Sequence, residues 1–96
     1  SDSQDPDVVR RDDGSYLLDG SLSIDRFKLL FPIELGDMEE GGRDYQTLAG
    51  LVLFLRGHVP ETGEHFEWSH LHFEVVDMDR RRIDKLLVRR LNSGGV

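Results

Sequence analysis

Thr47-Leu48-Ala49-Gly50-Leu51-Val52-Leu53-Phe54-Leu55-Arg56-Gly57, wound as a helix, is apolar almost all the way round. At about 100° per residue, Leu51, Leu55, Leu48, Val52, Tyr45, Ala49 and Leu53 sweep out roughly 200° of the wheel. Phe54 falls near the middle of what remains. An ordinary surface helix shows an apolar stripe of about 100° or slightly more. This helix is therefore buried on several sides, or it offers its surplus to a partner. None of its side chains is suited to acid, base or nucleophilic chemistry. The stretch points to packing and association.

Working upstream, Asp44 is placed to cap this helix, and Gly36–Gly42 reads as an acidic, flexible loop before it. Ser23 is a good N-cap for a shorter helix. Asp25 stands in its first turn, where a carboxylate favours the helix dipole. Leu22 can staple onto Phe27, and Ile24, Phe27, Leu30 and Phe31 recur at helical spacing until Pro32. Val8–Arg11 and Ser15–Leu18 read as two strands joined through Asp12-Asp13-Gly14. Asp19-Gly20 turns the chain out of that hairpin.

Downstream, Gly57 is a natural left-handed stop. His65–Trp68 and Leu71–Val76 alternate as strands around a Ser69-His70 turn. Asp77–Arg80 is expected to turn into a last strand over Arg81–Arg89, with Ile83 and Leu87 on one face and Leu86 and Val88 on the other. The predicted order is β-β-α-α-β-β-β, an α+β fold in which an antiparallel sheet packs against two helices. Residues 1–7 are expected to be a disordered lead-in, 8–91 the domain and 92–96 a flexible tail. The start at Ser1 and the Asn92–Val96 end read as those of a fragment of a longer protein.

The 96 residues contain no cysteine, which excludes disulfides and thiolate metal sites. No run approaches the ~18–20 apolar residues needed to span a bilayer, so the chain itself is not expected to insert. The net charge is −7 and lies in one half. Residues 1–45 hold twelve Asp and Glu against five Lys and Arg, whereas residues 46–96 hold seven of each kind. Nucleic-acid binding wants a basic stripe and is not expected. A solvated acidic face is the plain reading, with attraction of divalent cations or a basic partner as the sharper one.

Four sets of residues invite a chemical reading. Asp12 with Asp13, and Asp77 with Asp79, sit at predicted turns where carboxylate oxygens could converge on Mg²⁺ or Ca²⁺. Neither pair matches an EF-hand, and turn Asp side chains usually bond their own backbone. His70 and His72 would share a strand face, with His65 and Glu67 nearby, but a turn at Ser69-His70 spoils that geometry for zinc. Arg80-Arg81-Arg82 could hold a phosphate or an acidic partner, although Asp77, Asp79 and Asp84 partly neutralise it. Leu53 and Phe54 are the candidate interface residues. No nucleophile elbow and no phosphate loop appear.

Several segments, in this order, resemble a known family. Asp13-Gly14-Ser15-Tyr16-Leu17-Leu18-Asp19-Gly20 with Ile24-Asp25 is similar to its opening, and Asp44–Val52 to its central helix. Gly57-His58-Val59-Pro60-Glu61-Thr62-Gly63-Glu64 resembles its following loop, and Phe73-Glu74-Val75 with Arg81–Lys85 its closing strands. The whole resembles the transporter-associated CorC/HlyC domain. That resemblance implies a small α+β fold similar to a subdomain of FAD-binding proteins. It also implies a place at the end of magnesium/cobalt-efflux or hemolysin-like membrane proteins, beside a CBS pair and a transmembrane region. The position implied is the cytoplasmic side of the bacterial inner membrane. It brings no catalytic residues that map here, so the expected role is non-enzymatic: regulation or assembly, including homodimerisation. The alternative is sensing of a divalent cation or a nucleotide, FAD entering only by fold analogy.

Overall fold

The computed structural model describes residues 7–32 and 45–91. Its frame is a five-stranded antiparallel sheet in the order β1-β2-β5-β4-β3, with the strands Val8–Arg10 (β1), Tyr16–Asp19 (β2), His65–Trp68 (β3), Leu71–Asp79 (β4) and Arg82–Arg90 (β5). Among the described residues two helices, Ile24–Leu30 (α1) and Leu48–Arg56 (α2), interrupt the strands in the expected α+β order. The predicted lead-in up to Gln4-Asp5-Pro6, the acidic loop, the Asp44 cap and the tail all lie outside the described residues.

Local chemistry accounts for most of the boundaries. Ser23 caps α1, its hydroxyl accepting from the Arg26 N–H at 3.2 Å. At the start of α2 the capping residue is Thr47, whose hydroxyl accepts from the Gly50 N–H at 3.1 Å; this corrects the expectation of Asp44. Gly57 ends α2 with φ of 78°. Ser69 and His70 both adopt positive φ (54° and 65°), the backbone of a tight hairpin turn whose twist matches the strands.

The last hairpin departs from the expected pattern. Asp77 and Asp79 lie within β4, and the turn is Arg80-Arg81. Two register shifts flank Asp77, leaving Val76 and then Asp84 without a partner across the ladder. One extra residue on each strand flips the inward face of both strands. Ile83, Leu86 and Val88 consequently all point into the core, and Leu87 lies on the far face of the sheet. Strict alternation had paired Ile83 with Leu87 instead.

Among the described residues fourteen apolar side chains are buried, Phe27, Phe31 and Phe73 included, and they form one cluster between the sheet and these helices. Fully burying such a side chain stabilises by about 1.5–3 kcal/mol each before conformational entropy is subtracted. Gly20 lets this layer close. A Cβ there would collide with the carbonyl of Ile83, and its own carbonyl accepts from the Ala49 N–H at 2.9 Å. The turn after β2 thus touches β5 on one side and the start of α2 on the other.

Candidate functional site

Helix α2 is held at its N-terminus by main chain from the α1 approach. Leu48 N–H donates to Leu22 O at 2.8 Å, and Ala49 N–H to Gly20 O at 2.9 Å. A bridge between Ser23 and Thr47 fastens the two caps to each other. First-turn N–H groups that a free helix leaves to water are here used to dock it. The docking fixes the rotation of the helix, so Leu48, Leu51 and Val52 face the core and are fully buried.

That rotation turns Leu53 and Phe54 outward, 38% and 50% exposed. Tyr45 folds back along this outer side. Its Cβ would stand 3.0 Å from a Cβ added at Gly50, and its ring lies 5.5 Å from that of Phe54, tilted by 42°. Gly50 is therefore the notch that admits Tyr45, and Phe54 has an aromatic neighbour on one side and solvent on the other. Val59, 37% exposed just past the helix, adds a further apolar side chain.

The C-terminal end of α2 is tied to β3 by charge. Arg56 donates from Nε to Glu64 Oε2 at 2.8 Å, and its guanidinium lies over the Phe66 ring at 4.8 Å. His58 Nε2 stands 3.3 Å from the same carboxylate oxygen. The Arg56 hydrogen bond, joined by the Glu61 N–H, holds the Glu64 carboxyl below its ordinary value. Both ends of the helix are anchored, so its outer face is a fixed surface.

The two Asp pairs lie at opposite ends of the sheet. Asp12 and Asp13 are in the β1–β2 turn, where Asp13 Oδ1 accepts from the Ser15 hydroxyl at 2.6 Å and the Ser15 N–H at 2.9 Å. Those bonds, the hydroxyl first, lower its pKa. Asp77 and Asp79 are exposed near the β4–β5 turn, across from Lys85 and Arg82. Among the described residues no group of three or more His, Asp or Glu side chains is arranged to hold a metal ion. The turn separates His70 from His72; His72 instead stacks on His65, rings 5.5 Å apart, with Glu67 at 3.8 Å. Arg80, Arg81 and Arg82 are solvent-exposed.

One further apolar surface escaped the sequence reading. Val9, Leu17 and Leu87 form a cross-strand row on the face of the sheet turned away from the helices. The Asp19–Lys85 ion pair, Oδ2 to Nζ at 3.1 Å, borders them. The Ser21 N–H and hydroxyl chiefly lower the Asp19 pKa, while Asp19 raises that of Lys85. The available signal was Leu17, whose neighbours Tyr16 and Leu18 leave no polar residue in the alternation.

The profile of the transporter associated domain, CorC_HlyC, matches residues 9–92. The chain belongs to this family. A UPF0053 protein of Synechocystis is 51% identical over 88 residues, 92% of this chain and 19% of that protein. The polyamine export protein of Escherichia coli K12 is 34% identical over 86 residues, 90% of this chain and 19% of that protein. The CorC_HlyC domain of a Xylella fastidiosa hemolysin, solved in complex with Mg²⁺ and Mn²⁺, superposes with a TM-score of 0.77 at 41% identity, covering 90% of this chain and 99% of that one. The chain thus spans about a fifth of the length of these curated relatives, and the CorC_HlyC domain is a part of larger proteins. Among the described residues no helix is long and apolar enough to cross a membrane.

Proposed function

We propose that this CorC_HlyC domain is a non-catalytic regulatory or assembly module of a cation-transporting membrane protein, with residues 8–91 as its folded unit. It works through packed surfaces against a CBS pair, the membrane region or a second copy, on the cytoplasmic side of the bacterial inner membrane. The observation that carries this reading is the outward pair Leu53 and Phe54 on a helix fixed at both ends. Burial of such a face on a partner is driven by the same apolar transfer that forms the core. The polyamine export relative supports the transport setting, since polyamines are organic cations. The test is Phe54→Asp in the full-length parent protein, read as transport rate and as subunit association. Loss of either with an unchanged fold is expected; unchanged transport and association would sink the proposal.

A second reading, sensing of a divalent cation, draws on the Xylella relative solved with Mg²⁺ and Mn²⁺. Its candidate donors are Asp12, Asp13, Asp77 and Asp79, and FAD remains a fold analogy. Calorimetric titration of the chain with Mg²⁺, Mn²⁺ and FAD separately decides it: heat at the level of dilution for all three removes this reading.

A further inference from the structure

A cleft of about 420 Å³ opens at the end of the sheet where β1 leaves and β5 arrives, lined by Arg10, Asp13, Gly14, Tyr16, Leu30, Phe31, Arg89 and Arg90. Arg10 pairs with Tyr16 and Tyr16 with Val88, so Arg10 and Tyr16 rise on the helix-bearing face of the sheet. Arg90, two residues beyond Val88, rises on that face as well, its guanidinium 5.5 Å from the centre of the Phe31 ring. Phe31 in turn is packed edge-on by Tyr16, 5.4 Å away at 82°. A guanidinium resting on an aromatic ring keeps its N–H edges free for bidentate bonding.

Among the described residues none of Arg10, Arg89 and Arg90 forms an ion pair with a carboxylate. Asp13, the one acid lining the cleft among the described residues, already accepts two hydrogen bonds from Ser15. Among the described residues that line the cleft, Arg10 and Arg90 on the helix-bearing face stand against the single carboxylate of Asp13, while Arg89, paired with His72, follows Leu87 on the far face. The two like charges are unfavourable unless an anion sits between them. A phosphate monoester supplies about two negative charges and three strong acceptor oxygens, which suits two arginine forks better than one carboxylate does. Tyr16 adds a neutral O–H donor. The arginine turn at Arg80–Arg82, which like this cleft includes one aspartate, is a poorer candidate because no aromatic ring lines it among the described residues.

We propose that Arg10 and Arg90, assisted by Tyr16, form a binding site for a phosphate group. The group belongs either to a soluble phosphate compound or to an anionic lipid headgroup. The site is independent of the Phe54 surface and of the assembly role assigned to it. The solved Xylella chain is 99% covered by this domain, so the isolated domain is a fair test object. The test is an amide-resolved NMR titration of the 96-residue chain with inorganic phosphate against sodium chloride at equal ionic strength. Shifts that saturate at Gly14, Tyr16, Leu30 and Arg90 are expected. Affinity should fall about tenfold or more in R10Q/R90Q, fall less in R10K/R90K, and stay unchanged in R81Q.

Co-sedimentation with vesicles of phosphatidylglycerol and phosphatidylcholine then separates the sources. Vesicle binding lost in R10Q/R90Q assigns the site to a headgroup; no vesicle binding, with the phosphate titration positive, assigns it to a soluble compound. Shifts that chloride reproduces, equal affinities for wild type and R10Q/R90Q, or vesicle binding that survives R10Q/R90Q would overturn the proposal.

Discussion

Leu51 and Val52 are fully buried on α2, while Leu53 and Phe54, the next two residues of the same helix, are 38% and 50% exposed. Side-chain chemistry does not distinguish the pairs; rotation of the helix about its axis does. The inner pair faces the sheet because two backbone bonds from Gly20 and Leu22 lock the first turn. Apolar surface of one kind thus divides into a part that stabilises the fold and a part left over for association. Substitutions on the two faces should have opposite signatures, one in unfolding and the other in partner binding.

The largest effect is expected on the inner face. Leu51→Ala should lower unfolding free energy by about 2–5 kcal/mol, since lost transfer energy and a residual cavity add. Denaturant melts check this, and a loss under about 1 kcal/mol would mean that the helix does not bury the side chain as described. Gly20→Ala should cost about 1–3 kcal/mol or more, because the added methyl meets the Ile83 carbonyl, a main-chain atom that cannot rotate away. If the variant melts like the wild type, α2 is not seated on this turn. Thr47→Ala removes the cap and should cost about 1 kcal/mol, with Thr47→Ser recovering most of it.

A smaller effect follows from acid. Asp13, Asp19 and Glu64 all titrate below their ordinary values in the folded chain. The unfolded chain then binds protons first on acidification. Their contribution is fully present above the usual carboxylate range near pH 4 and drains away as pH falls through the lower folded values. Urea midpoints from pH 6 down to pH 3 should fall, and Glu64→Gln should make that fall shallower. Unchanged midpoints would show that these bonds contribute nothing. The smallest stability effect belongs to the outer face: Phe54→Asp should move unfolding free energy by less than about 0.5 kcal/mol. A loss comparable to that of Leu51→Ala would erase the distinction between the faces.

How much was legible depended on how local each cause was. Ser23, Gly57 and the Ser69-His70 turn were readable because each acts within a few residues. Thr47 was passed over for Asp44, since both are good caps and the choice is made by the backbone bridge to Ser23, far upstream in the chain. Alternation carried β4 as far as Val75, after which paired irregularities at Val76 and Asp84 moved the turn to Arg80-Arg81. No period-two reading anticipates a compensated shift that depends on two strands together. At the candidate interface Leu53 and Phe54 were visible as surplus on the wheel, but the notch at Gly50 that seats Tyr45 was not.

The sequence alone determined the family, the order of elements, the position of α2 and the excess of apolar surface on it. Those are consequences of periodicity and of short capping motifs, which a linear reading carries. Tertiary structure decided which side of α2 faces out, which histidines stack, and that Arg10 and Arg90, eighty residues apart, open onto one cleft. Strand register and helix rotation set these, and both come from hydrogen bonds between distant segments that no local pattern encodes.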